Sequence, residues 1–100
     1  MLTDKKLHKI GRIDQIIRDY FEKNPSVNEI PAKDLMPLFI EKGIFNKDYS
    51  RPGLPIRNIL RDLDKANKLS MIKHATVIRH PVNRNWYFTK TAHRVTSLSP

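Results

Sequence analysis

The sequence predicts a mainly α fold with a small antiparallel β-hairpin, an α+β arrangement of three helices followed by two strands. Two stretches, Asp4 to Lys23 and Leu54 to Leu69, keep apolar residues at helical spacing, and a third between Ala32 and Lys42 is apolar enough for a short helix. From Met71 onward the residue types change to those that favour strands. One hundred residues, 39% of them apolar, suffice for one core and are too apolar for full disorder. A single domain is expected over 1–90, with 91–100 a loose polar tail that lacks apolar periodicity.

In the first helix Leu7, Ile10, Ile13, Ile16, Ile17, Tyr20 and Phe21 repeat with a helical period, with Arg12, Gln15, Asp19 and Glu22 opposite. The helix is about five turns long, and Asn24-Pro25-Ser26 ends it because proline cannot continue the hydrogen-bond ladder. Gly11 weakens it by about 1 kcal/mol relative to alanine, which predicts that the turns before it fray or pack separately. Val27 to Ile30 reads as a short extended segment.

For the second helix Asp34 is the expected cap, placing Pro37 in the first turn where no intrahelical N–H bond is lost. Gly43 is expected to close it in the left-handed conformation, with Ile44 or Phe45 folding back. Asn46 to Gly53 is polar, contains Pro52 and Gly53, and reads as a loop. Strands are expected at Met71 to Arg79 and Trp86 to Thr89, joined by a basic turn His80-Pro81-Val82-Asn83-Arg84-Asn85. Alternation then turns Trp86 and Phe88 inward and Tyr87 outward.

The third helix has two faces of different character. Ile56, Ile59, Leu60 and Leu63 fall at i, i+3, i+4 and i+7, a core stripe. Asn58, Arg61 and Lys65 point away from that stripe, and Arg57 sits on its shoulder. Arginine offers a planar fork matched to guanine O6 and N7, and asparagine can bridge adenine N6 and N7, each worth about 1–3 kcal/mol of discrimination. Arg57, Asn58 and Arg61 place both types within about one and a half turns at the N-terminal end of the helix. Lys65, Lys68, Arg51 and Lys73 suit phosphates, which fix register without reading sequence. Asp62 and Asp64 are expected on the flanks, pairing with Arg61 or Lys65.

Charge is distributed in the same sense. Residues 1–50 carry nine Lys/Arg against eight Asp/Glu, whereas residues 51–100 carry ten against two. Nearly all of the net +9 therefore lies in the half that holds the third helix, the footprint expected of a polyanion binder.

The order helix, brief strand, helix, loop, cationic helix, hairpin with a basic tip resembles the winged helix-turn-helix superfamily. The resemblance covers about residues 10–90 and rests on RPGLPIRNILRDLDKANKL (Arg51 to Leu69) and RHPVNRNWYF (Arg79 to Phe88). It implies three helices plus a wing, with helix 54–69 in the major groove and the 80–85 wing tip, through Asn83 and Arg84, on the backbone or minor groove. The loop before the third helix is longer than the compact pattern. A small transcriptional regulator that binds double-stranded DNA is the expected function, and a homodimer through the first helix the oligomer considered. The alternatives are a protein–protein interaction module on the same fold and an RNA-binding module that stacks bases on Trp86, Tyr87 and Phe88.

Other classes find little support in the residues. The chain has no cysteine, and His8, His74, His80 and His93 have no pairwise spacing suited to a metal site. Ser50 or Ser70 near His74 would need an oriented carboxylate, and no acid follows Asp64 in the sequence. Three glycines leave no phosphate-cradling loop. The expectation is no enzyme, cofactor, metal or small-molecule ligand. No run of about 18 apolar residues occurs, and Met1 to Lys9 is charged rather than signal-like. A cytoplasmic protein is expected, nucleoid-associated if bacterial.

Overall fold

In a computed structural model that describes residues 3–79 and 85–90, the chain begins with helix α1, Asp4–Lys23. Thr3 caps it, its hydroxyl accepting from the Lys6 backbone N–H at 3.1 Å. At the far end the Asn24 side-chain amide donates to the Tyr20 carbonyl at 2.8 Å, and Pro25 follows. The separation expected before Gly11 does not occur, since Ile10 and Ile13 on either side of it enter the same core. Burying Ile10 gains roughly 1.5–3 kcal/mol, more than the roughly 1 kcal/mol that a helical glycine costs.

The extended segment after α1 becomes strand β1, Glu29–Pro31. It pairs antiparallel with a strand some sixty residues away, in the register Glu29 to Thr89, Ile30 to Phe88 and Pro31 to Tyr87. The expected two-stranded hairpin is therefore a three-stranded antiparallel sheet. Strand β2 is Ala75–Arg79 and β3 is Trp86–Lys90, and β3 lies in the centre with β1 and β2 at its sides. A lone hairpin is marginal in water, and the third strand gives Phe88 a neighbour on each side. Pro31 is tolerated because β1 is an edge.

Asp34 does not cap the second helix. Ala32–Leu35 forms a 3-10 turn, and α2, Met36–Glu41, starts from it with Pro37 in the first turn as expected. Gly43 closes α2 at φ +81. The Gly43 N–H donates to the Ile40 carbonyl at 3.0 Å and the Ile44 N–H to the Phe39 carbonyl at 2.8 Å, a Schellman ending that buries Ile44.

Helix α3 is Leu54–Lys65, four residues shorter than the expected helix 54–69. Asn67 turns left-handed at φ +57. The Lys68 N–H then donates to the Leu63 carbonyl at 2.8 Å and the Asn67 N–H to the Asp64 carbonyl at 3.0 Å. Asparagine here plays the part glycine plays at Gly43, because its short polar side chain tolerates that conformation. Lys68 lies beyond the helix, and Leu69–Met71 is a short 3-10 turn. The strand expected from Met71 begins only at Ala75.

The described residues thus form a small α+β domain of three α-helices and one antiparallel sheet. Its core joins the α1 isoleucines, Leu35, Met36 and Phe39, the α3 stripe of Ile56, Ile59, Leu60 and Leu63, and the inward sheet residues Ile30, Trp86 and Phe88. Trp86 and Phe88 face in and Tyr87 is half-buried on the other face, as alternation predicts. Among the described residues no helix is long and apolar enough to cross a membrane.

Candidate nucleic-acid interface

Because the apolar stripe of α3 is wholly buried, the rest of that helix is held to one orientation. Asn58, Arg61 and Lys65 are exposed, and Arg57 is half-buried on the shoulder. Among the described residues no hydrogen bond or ion pair engages the side chain of Arg57, Asn58 or Arg61, although the Arg57 backbone N–H donates to the Gly53 carbonyl at 2.9 Å. Arg57, Arg61 and Lys65 follow one another at i, i+4 and i+8, a spacing at which like charges cost a helix about 0.2–0.5 kcal/mol per pair. An anion laid along the ridge offsets that repulsion.

The loop before α3 is closed by one carboxylate. Asp48 accepts from the Tyr49 N–H at 2.8 Å and from the Gly53 N–H at 3.0 Å, so Tyr49 to Pro52 project ahead of the helix. Arg51 is on this projection and exposed, as is Tyr49 at 51%, with the Lys47 ammonium 5.3 Å from the centre of its ring. Gly53 has φ +85, and a Cβ there would stand 2.6 Å from the Lys33 Cβ and 3.1 Å from its Cα. That close approach sets Lys33 beside the start of α3. Lys33, Arg57 and Asn85 line one small recess with Gly53 and Trp86, so the base of the β2–β3 connection meets the N-terminal end of α3.

The two acids of α3 lie off the ridge, but Asp62 has a different partner from those expected. Its carboxylate accepts from the Lys6 ammonium of α1 at 2.9 Å. That hydrogen bond, aided by the charges of Lys6 and Lys65, holds the Asp62 carboxyl below the usual carboxylate range. Asp64 is exposed and has no ion pair among the described residues.

The remaining predicted positions separate into two groups. Lys65 and Lys68 are both exposed at the C-terminal end of α3. Lys73 is exposed as well, yet it is six residues from Arg79, about 20 Å of extended chain, and its backbone N–H is bound to Asp14 at 2.8 Å. It is not among the residues that line the recess with Arg57, and lines another with Leu69 and Ser70, just past Lys68. Asn83 and Arg84 lie outside the described residues, as do His80 and the tail 91–100.

Asp14 supplies the oriented carboxylate that the sequence did not show near His74. Only 6% exposed, it accepts from the Lys73 and His74 backbone N–H groups and lies 2.8 Å from His74 Nδ1. It ties α1 to the approach of β2. No side-chain hydroxyl is hydrogen-bonded to the His74 ring among the described residues, and no group of three metal-ligating side chains occurs there.

Sequence reasoning missed Lys33 and the α1 lysines Lys5, Lys6 and Lys9, all in the half of near-zero net charge. The signal available was local: lysines crowd the first turns of a helix, where the dipole disfavours them. Comparison with protein families, with curated proteins and with solved structures returned no match.

Proposed function

We propose that this chain binds double-stranded DNA through a winged helix-turn-helix arrangement, as a small transcriptional regulator. In this reading α3 enters the major groove, with Arg57, Asn58 and Arg61 toward base edges and Arg51, Lys65 and Lys68 toward phosphates. The connection that holds Asn83 and Arg84 is the wing. The observation that carries the reading is the cationic ridge of α3, whose side chains have no hydrogen-bond or ion-pair partner among the described residues, opposite a stripe that is buried. Lys33 beside that ridge and the pairing of Asp62 with Lys6 add to its positive potential.

The burial of Trp86 and Phe88 withdraws the stacking surface on which an RNA reading would rest. Fluorescence anisotropy on a selected duplex and on random duplexes tests the proposal. Arg57→Ala and Arg61→Ala should each cost about 1–3 kcal/mol on the selected duplex and much less on random sequence. A loss of equal size on every duplex removes the base-reading claim, and no affinity for duplex at low salt removes the function.

A further inference from the structure

We propose that the start of α1 forms a second phosphate-binding strip, in which Lys5 and Lys9 contact the backbone of the duplex strand flanking α3 while Lys6 neutralises Asp62. The proposal rests on the DNA reading of α3 and names a surface that reading does not use.

Thr3, Lys5, Lys6 and Lys9 line one groove with Phe45 and Ile59. Lys6 of this groove is bound to Asp62 on the flank of α3, so the groove adjoins that flank, with Asp62 between it and the cationic ridge. Lys5 is exposed and Lys9 half-buried, with its ammonium 5.4 Å from the centre of the Phe45 ring. Neither has a carboxylate partner among the described residues. Arg12, further along α1, is already engaged by the Lys42 carbonyl at 2.6 Å, so the strip ends at Lys9.

Two features of this groove favour a phosphodiester chain. Its cations stand at the positive end of the α1 dipole, where Lys6 is offset by Asp62 and a bound anion would relieve the repulsion that Lys5 and Lys9 still feel. Asp62, on the adjoining flank of α3, is an acid that would repel such an anion, and Lys6 holds it at 2.9 Å; the other acid at this end, Asp4, is exposed in the first turn of α1. The three lysines therefore divide the work. Lys6 cancels the local negative charge, and Lys5 and Lys9 remain to meet phosphates in continuity with α3.

The test is the salt dependence of duplex binding, read by fluorescence anisotropy on a labelled duplex from 50 to 200 mM KCl. Each phosphate contact contributes about 0.9 to the slope of log affinity against log salt. Lys5→Gln with Lys9→Gln should lower the slope by about 1.8, so that the variant loses roughly twelvefold less affinity over that range than the wild type. Its preference between selected and random duplex should stay unchanged. Lys6→Gln should weaken binding, and adding Asp62→Asn should restore it. Thermal melting checks that every variant is folded, since Lys6 and Lys9 are half-buried and Lys9 packs over the Phe45 ring.

A wild-type slope retained by the Lys5/Lys9 variant overturns the strip and leaves the α3 reading standing. Failure of Asp62→Asn to restore the Lys6→Gln variant overturns the neutralising role of Lys6. No wild-type affinity for duplex, with polyglutamate bound in a Lys5- and Lys9-dependent manner, assigns the groove to an acidic protein and overturns the reading beneath it.

Discussion

Gly53→Ala is the substitution whose cost follows most directly from the geometry. At φ +85 an alanine pays the left-handed penalty, about 1–2 kcal/mol. The added Cβ would also stand 2.6 Å from the Lys33 Cβ and 3.1 Å from its Cα. The nearest atoms are the root of a side chain and the backbone behind it, which cannot swing aside as a side-chain tip can. Overpacking of this kind adds about 1–3 kcal/mol, for a total of about 2–5 kcal/mol out of the roughly 5–15 kcal/mol typical of a whole domain. The other two glycines are controls. Gly43→Ala has the same backbone sign, φ +81, but open space around it, so it should cost only the conformational part, about 1–2 kcal/mol. Gly11→Ala is helical and unobstructed and should stabilise by about 0.5–1 kcal/mol. Urea unfolding followed by Trp86, the one tryptophan and a buried one, gives the midpoint and slope for each. Equal losses for Gly53→Ala and Gly43→Ala would refute the role given to the Lys33 contact.

Two further outcomes follow from the ties between α1 and the rest of the fold. Asp14→Ala leaves two backbone N–H groups without their acceptor, while the His74 imidazole, 41% exposed, can turn to water; at about 1–3 kcal/mol for each N–H left unsatisfied in part-buried surroundings it should cost about 2–6 kcal/mol. Asp14→Asn keeps an acceptor for the N–H groups and should cost clearly less in the same urea assay; equality of the two would refute the hydrogen-bonding role. The Asp62 carboxyl is held below its ordinary value of 3.8, so its contribution is present above pH 3.8 and is lost as pH falls through the lowered value. Asp62→Asn should therefore melt below the wild type at neutral pH, with the gap closing toward pH 2; a gap constant from pH 7 to pH 2 would show that the pair with Lys6 is not its source.

The amphipathic period marked the course of α1, the buried stripe of α3 and the inward turn of Trp86 and Phe88, while Pro25 marked the end of α1 and a single glycine the end of α2. These are decided by residues within one or two turns of each other, so the local order of apolar and polar side chains suffices. Even locally one signal was weak: Asn67 stops α3 by a left-handed turn that many asparagines do not make, and the periodic pattern running on to Leu69 outvoted it.

Tertiary structure decided the rest. Glu29 meets Thr89, and Asp14 meets Lys73 and His74, across about sixty residues, and no spacing rule reaches that far. The charge on the α3 side shows the consequence. Counted along the chain, the first fifty residues are almost neutral. Folded, they deliver Lys33 to one side of α3 and Lys5, Lys6 and Lys9 to the other, while Asp48, Asp14 and Asp62 are taken up by backbone N–H groups, an imidazole and an ammonium. Apolar stripes choose their partners by burial across the whole chain, and charged side chains are carried to wherever that packing leaves them.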